Sequence, residues 1–142
     1  MVFRLFGILS HGKKLPDRQS SRQQKQKWII EEYLDRHFTD HEGIEGLSRD
    51  LFLSQRQTRT LVHRFFGEDF KTLIIRRRME LAEILLSSTD LSLEEIAWKT
   101  GYLSYSGFQL AFKQHFGKTP SQMKKELFSL SNQQNKEDAP IR

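Results

Sequence analysis

The pattern of apolar and polar positions predicts helices through most of the chain. Apolar side chains recur every three or four residues, as on one face of a helix, in a series of segments. The segments are residues 24–38, 44–51, 54–66, 69–86, 92–99, 105–116 and 120–128. No alternating pattern of useful length predicts a strand. We therefore predict an all-α fold with about seven helices.

Signals for helix starts and stops place the boundaries of these segments. Ser54 followed by Gln57, three residues later, has the form of a capping box, and so does the pair Ser92 and Glu95. Each of the segments 54–66 and 105–116 ends in Phe followed by Gly, the residue that most readily ends a helix.

An internal repeat joins these elements into two units. Residues of identical or similar character stand fifty positions apart. These pairs are Ser54 with Ser104, Val62 with Phe112, Phe66 with Phe116, and Gly67 with Gly117. Each copy consists of a short helix, a tight turn and a second helix, which is the outline of a helix-turn-helix motif. In such motifs the second helix can enter the major groove of DNA.

The repeat and the tails define the predicted organisation. We expect a basic flexible tail at 1–23, a first helix-turn-helix subdomain at 24–68 and a connecting helix at 69–86. A second helix-turn-helix subdomain follows at 87–128, and the polar residues 129–142 are predicted to be disordered.

Composition excludes several classes of protein. The 142 residues include no Cys, which excludes a disulfide scaffold and a thiolate metal site and fits a reducing compartment. No apolar run approaches the roughly 20 residues that a membrane helix needs. We therefore expect a cytoplasmic protein that makes no contact with membranes.

Charge is distributed unevenly along the chain. The net charge is +5, and residues 1–27 hold seven Lys or Arg and one acid, so the remaining body is close to neutral. Within that body, residues 54–66 carry bases and no acid, which suits an approach to phosphates.

The outward face of each second helix carries the candidate base contacts. In residues 54–66, helical spacing places Arg56, Arg59, Thr60 and His63 on one polar stripe, and Arg is the usual partner of guanine. In residues 105–116 the outward residues are Ser106, Gln109, Leu110 and Lys113, and Gln109 suits adenine. The inward stripe of that helix is predicted to be Phe108, Ala111, Phe112 and His115.

Phosphate contacts need helix N-termini and flexible polar or cationic side chains. We assign them to Ser54, His63, Ser104, Lys113 and Thr119, with Lys118 and Lys124 as further candidates.

The second unit also carries an extended signature. The run Glu94 to Tyr102, with Phe108, Phe112-Lys113, Phe116-Gly117 and Thr119-Pro120, resembles the C-terminal signature of the AraC/XylS transcription regulators. The resemblance covers about residues 24–127. It implies a DNA-binding unit of two subdomains whose recognition helices enter successive major grooves, and a regulator that mostly activates transcription by placing RNA polymerase beside its site. By position it implies base contacts from Arg56, Arg59 and Thr60, and from Tyr105, Ser106 and Gln109.

The chain departs from the family pattern at several positions in the first unit. Ser48 stands where the family usually has Ala, Phe52 where it often has Gly, and Thr58 where it has an aliphatic core residue. Many relatives also carry an N-terminal ligand-sensing domain, for which residues 1–23 are too few. We therefore expect no cofactor and no small-molecule pocket in this chain. It would be either a stand-alone short member of the family or a piece of a longer one.

Three other classes of function are a metal-binding protein, an enzyme and a protein-binding adaptor. His37 and His41 are spaced for a metal, but no third ligand matches them, and no residues are placed as a catalytic triad, so neither a metal site nor an enzyme is predicted. A helical adaptor that binds a protein without reading DNA remains the alternative. The acid-free stripe discriminates between the two, because an adaptor has no reason to exclude carboxylates from it.

Overall fold

The computed structural model describes residues 15–137, and these form seven α-helices and no strand. The helices are α1 (Arg22–His37), α2 (Gly43–Leu51), α3 (Gln55–Phe66), α4 (Phe70–Ser88), α5 (Leu93–Lys99), α6 (Tyr105–Phe116) and α7 (Pro120–Glu137). The predicted all-α fold is therefore confirmed. The predicted tail residues 1–14 and 138–142 lie outside the described residues.

The chain divides into two compact units whose boundary falls between Leu81 and Ala82, inside α4. Unit 1 contains α1, α2, α3 and most of α4, and unit 2 contains the end of α4 with α5, α6 and α7. Each unit thus holds one copy of the repeat.

The core of unit 1 is aliphatic and draws on four helices. Its fully buried centre consists of Ile30 and Leu34 of α1, Leu47 of α2 and Val62 of α3, and Leu73 of α4 packs with them. These positions follow the helical period, so each helix buries one stripe against the others.

Polar contacts add to this packing between α1 and α4. Arg77 pairs with Asp35 across 2.7 Å, and the Nε of Arg78 donates to the carbonyl of Phe38 at 2.6 Å. Both contacts join residues about forty positions apart in the sequence.

The core of unit 2 is aromatic. Phe108 and Phe112 of α6 are fully buried, and their ring centroids lie 5.6 Å apart. Tyr102 meets Phe108 edge-on at 5.7 Å, and Phe116 extends the series at 4.5 Å from Phe112. Ile96 of α5 is also fully buried.

The prediction that His115 faces inward is wrong. Its side chain is exposed, and the ring stands edge-on to Phe116 with centroids 4.7 Å apart. The inward series on α6 steps by four residues, from Phe108 through Phe112 to Phe116. His115, one position earlier, therefore falls outside it.

The last helix is longer than predicted. We expected disorder from Ser129, but α7 continues to Glu137, so residues 129–137 are helical. Extending a helix that has already formed fixes few extra dihedrals for each new hydrogen bond, so polar residues can continue it. The hydroxyls of Ser129 and Ser131 donate back to the carbonyls of Lys125 and Leu127 at 3.0 and 3.1 Å.

None of the helices in residues 15–137 combines the length and the apolar character needed to cross a bilayer.

Candidate nucleic-acid interface

Local hydrogen bonds set both ends of α3. The Oγ of Ser54 accepts from the amide of Gln57 at 3.1 Å, and Gln57 returns the contact by accepting from the amide of Ser54 at 3.0 Å. At the other end, Gly67 adopts the left-handed conformation with φ 72° and donates to the carbonyl of His63 at 2.8 Å. The predicted capping box and glycine stop are confirmed.

The faces of α3 separate as the helical spacing predicts. Thr58, Leu61 and Val62 are buried. The four residues of the polar stripe are all exposed, and they are Arg56, Arg59, Thr60 and His63. The helix therefore presents this stripe to solvent.

Arg59 is held in place by a chain of hydrogen bonds. Its guanidinium donates to Oε1 of Gln55 at 3.2 Å, and Nε2 of Gln55 donates to Oε1 of Glu45 at 3.2 Å. The amide orientation is consistent, because a guanidinium can only donate and a carboxylate can only accept. The stripe is thus free of acids along α3, while α2 brings one carboxylate to the far side of Gln55. The sequence offers no local signal for this contact.

The other two candidate base readers of unit 1 are less constrained. The side chain of Arg56 forms no ion pair within residues 15–137. Thr60 donates its hydroxyl hydrogen to the carbonyl of Arg56 at 3.1 Å, which leaves the oxygen free to accept.

The second candidate recognition helix, α6, has fewer polar contacts of its own. Ser104 accepts from the amide of Gly107 at 3.1 Å, and no capping box completes the cap. Ser106 is exposed and Gln109 is half-buried. Tyr105 is half-buried as well, because its ring packs against Phe108 with centroids 6.1 Å apart.

The five assigned phosphate contacts fall into two groups. Ser54, Ser104 and Thr119 are N-caps or capping-box residues whose oxygens accept from their own helices, with Thr119 taking the amide of Gln122 at 3.2 Å. Their hydroxyl hydrogens remain available to an anion. His63 and Lys113 are exposed on the outward faces of α3 and α6.

The two further lysines are engaged elsewhere. Lys118 pairs with Glu126 at 2.5 Å, and the Nζ of Lys124 donates to the carbonyl of Leu91 at 3.4 Å. Both would have to give up a contact before binding a phosphate.

Ion pairing in unit 1 engages four arginines that lie outside α3. These pairs are Arg36 with Glu32, Arg49 with Glu42, Arg76 with Glu68, and Arg77 with Asp35. On α3, Arg56, Arg59 and Arg64 have no acid partner within residues 15–137. Positive charge on this helix is therefore less neutralised than on the rest of the unit.

The loop after α1 gathers three groups of metal-ligand type. Nδ1 of His37 lies 2.6 Å from Asp40 Oδ2 and 3.7 Å from Glu42 Oε2. His41, which the sequence pairs with His37, is not in this cluster. Asp40 is hydrogen-bonded to His37, and Glu42 pairs with Arg49, so these contacts already close the loop.

Comparison with known proteins decides the family. A family profile described as a helix-turn-helix domain matches residues 47–126, more than half of the chain. The regulatory protein SoxS of Salmonella typhimurium is 32% identical over 111 residues, which are 75% of this chain and 99% of SoxS. The chain belongs to the AraC/XylS family. The relatives that the chain matches are transcription regulators and not enzymes, in agreement with the prediction from the sequence.

Solved structures agree with the AraC/XylS assignment. The C-terminal domain of the response regulator yesN from Fusobacterium nucleatum is 30% identical, with a TM-score of 0.67, over 69% of this chain and 96% of that one. The DNA-binding domain of AdpA, solved in complex with a target DNA, shares the fold at 20% identity and a TM-score of 0.69, over 76% of this chain and 96% of that one.

Other AraC/XylS-type relatives are considerably longer. The chain spans 38% and 30% of the length of two further curated regulators that it matches.

Proposed function

We propose that this AraC/XylS-family chain binds double-stranded DNA in a sequence-specific way, with α3 and α6 in successive major grooves. The observation that carries the proposal is the outward face of α3. There Arg56, Arg59 and Thr60 are exposed on a helix whose arginines have no acid partner, in a unit that pairs most of its other arginines. Such a face suits a polyanion that presents hydrogen-bond acceptors.

The two helices are assigned different base contacts. In unit 1, Arg56 and Arg59 suit guanine, and Thr60 can accept from a base edge. In unit 2, Tyr105, Ser106 and Gln109 are the base contacts, and Gln109 suits adenine. Unit 2 is the weaker reader, because its outward face carries one cation, Lys113, where unit 1 carries several.

Phosphate contacts from the remaining residues set the register on the duplex. We assign them to Ser54, His63, Ser104, Lys113 and Thr119, at the helix starts and on the outward faces. These contacts contribute affinity without sequence information.

The regulatory role follows from the family resemblance. We propose that the bound chain activates transcription by placing RNA polymerase beside its site, in the bacterial cytoplasm at the nucleoid. Transcription from a promoter carrying the selected site, with purified polymerase and with or without the protein, tests this role. An increase supports activation, and a decrease assigns repression instead.

The DNA-binding proposal is tested first by selecting bound sites from a random duplex pool. Arg59→Ala is then expected to weaken binding to the selected site by about 1–3 kcal/mol and to relax preference at one base pair. Lys113→Ala should instead weaken all duplexes alike and reduce the salt slope by about one. Arg36→Ala is the matched control, because Arg36 pairs with Glu32 on α1.

Fluorescence anisotropy on selected and scrambled duplexes separates the outcomes. Equal losses for Arg59→Ala on both duplexes would reassign Arg59 to a phosphate. A wild-type protein that ignores every duplex at low ionic strength would leave the helical adaptor as the better explanation.

A further inference from the structure

A second positively charged feature of unit 1 extends beyond the predicted contacts. A groove of about 430 Å³ runs between the start of α1 and the side of α3. Its polar walls comprise Arg22, Gln23 and Gln26 from α1, and Arg56, Gln57 and Arg64 from α3. We call it the α1–α3 groove. Arg56, Thr60 and Arg64 follow one another at steps of four residues, so they lie along one side of α3.

The arginines of the α1–α3 groove differ from most others in unit 1. Arg22, Arg56 and Arg64 form no ion pair or side-chain hydrogen bond with any residue in 15–137. Five other arginines are held by carboxylates or backbone carbonyls, and these are Arg36, Arg49, Arg76, Arg77 and Arg78. The groove also has no Asp or Glu in its lining. Three guanidiniums around one groove repel one another unless an anion lies between them.

The other groups lining the groove also suit an anion. Gln57 accepts the amide of Ser54 with its Oε1, so its NH₂ group remains available to donate. Arg22 is the first residue of α1, at the end of the helix where the dipole favours negative charge. Guanidinium groups bind phosphate oxygens with paired hydrogen bonds, so the matching ligand class is a phosphodiester or phosphate.

We propose that the α1–α3 groove holds the DNA backbone beside the bases read by α3, with Arg22 and Arg64 as phosphate-contacting residues. This rests on the proposed function and extends its footprint to α1. Arg56 and Thr60 belong both to the groove and to the outward face of α3. A strand seated in the groove therefore passes next to the base pairs that these two residues are proposed to contact.

The test measures the salt dependence of binding for Arg22→Gln and Arg64→Gln in the full chain. Each variant is expected to reduce the slope of log K against log[salt] by about one, and the double variant by about two. The fold loss in affinity should be the same on selected and scrambled duplexes, because phosphates carry no sequence information. Arg36→Gln, on α1 but paired with Glu32, should leave the slope unchanged. Circular dichroism checks that each variant keeps its helix content.

Neutral methylphosphonate linkages, placed one at a time along the selected duplex, then locate the contact. The wild-type protein should lose affinity at a linkage flanking the base pair that Arg56 is proposed to contact. Arg22→Gln or Arg64→Gln should lose markedly less at that same linkage. Unchanged salt slopes in both variants, with wild-type binding and the Arg59→Ala defect intact, would overturn the groove proposal alone. Failure of the wild-type protein to bind any duplex would overturn the proposed function itself.

Free phosphate provides the last arm. Inorganic phosphate, titrated at constant ionic strength and followed by the side-chain Nε signals of Arg22 and Arg64 in NMR, is expected to bind only weakly. Saturable binding of inorganic phosphate, combined with salt slopes for DNA that the variants do not change, would assign the groove to a free anion and overturn its role on DNA.

Discussion

The two units of the molecule repeat one backbone with different side chains. In unit 1 the amide of Leu53 donates to the carbonyl of Ser48 at 3.1 Å, and in unit 2 the amide of Tyr102 donates to that of Ala97 at 3.0 Å. The helices α3 and α6 each have 12 residues. They end at glycines with φ values of 72° and 76°. Turn and cap hydrogen bonds therefore define the motif, whatever the neighbouring side chains are.

The interiors of the two units are chemically different. In unit 1 the hydroxyl of Ser48 lies 3.0 Å from that of Thr58, and both residues are buried. The corresponding residues of unit 2 are Ala97 and Phe108, which contribute only apolar surface. A polar pair and an aromatic ring thus occupy equivalent places, because the cost of burying each is offset locally. Hydrogen bonds satisfy the two hydroxyls, and neighbouring side chains pack against the ring.

The outward faces differ as well. Unit 1 presents arginines on α3, whereas Gln109, Leu110 and Lys113 stand on α6. A repeated backbone can therefore carry a strongly cationic face in one copy and a mostly neutral one in the other.

The largest expected effect separates the two cores. Phe108→Ala should reduce the free energy of unfolding by about 3–5 kcal/mol, since it empties the centre of the aromatic core. Hydrogen exchange should show lost protection in α6, while α3 keeps its protection. Phe128→Ala is the matched control, because Phe128 is 69% exposed, and it should change stability by less than about 0.5 kcal/mol. Equal loss of protection in both units would mean that they share one cooperative core.

A smaller effect is expected from replacing the polar pair of unit 1 with apolar groups. Ser48→Ala and Thr58→Val should each cost about 0.5–1.5 kcal/mol. Each removes a hydrogen bond to a backbone carbonyl, that of Ile44 or that of Ser54, together with the contact between the two hydroxyls. The double variant should cost less than the sum, since no hydroxyl then remains to be satisfied. Urea denaturation of all four proteins gives the coupling. Strictly additive losses would show that the 3.0 Å contact contributes nothing to stability.

The turn of unit 1 offers a stabilising change of similar or smaller size. Phe52 adopts the left-handed conformation with φ 56°, although its side chain is 93% exposed, and Gly101 stands at the equivalent place in unit 2 with φ 102°. Phe52→Gly should therefore raise the free energy of unfolding by about 0.5–1 kcal/mol by relieving strain at Cβ. Phe52→Ala removes the ring but keeps Cβ, and should leave stability nearly unchanged. Equal stabilisation by both variants would attribute the effect to the ring.

The smallest effect concerns the pH dependence of a cap. The box that starts α5 uses Glu95, whereas the box that starts α3 uses the neutral Gln57. Hydrogen bonds from Ser92 hold the pKa of Glu95 below its ordinary value of 4.5. A lowered folded-state pKa means that this contribution is present above pH 4.5 and is lost as the pH falls through the folded value.

An NMR titration of the Glu95 carboxyl measures this shift directly. Glu95→Gln should keep the cap. It should also remove the part of the pH dependence of amide hydrogen exchange in α5 that comes from the Glu95 carboxyl. An unshifted titration of Glu95 would contradict the cap as the cause.

Features that depend on near neighbours were predictable from the chain alone. The helices, the Ser54–Gln57 box, the glycine stops and the exposure of Arg59 follow from spacing and from hydrogen bonds within four residues. The two wrong predictions, the inward side chain of His115 and the disorder of residues 129–137, arose where spacing alone does not decide the structure. A one-residue step around a helix, and the continuation of a helix through polar residues, are decided by packing and cooperativity more than by composition.

Spacing along the chain sets the repeated motif, its caps and the polar faces of α3 and α6. The packing of the helices instead sets which distant groups lie together. It brings Glu45 to Gln55 beside Arg59, and Arg22 of α1 into one groove with Arg64 of α3. Periodicity specifies which side of a helix a residue occupies. It does not specify which other helix that side meets, because that depends on how the buried faces pack together.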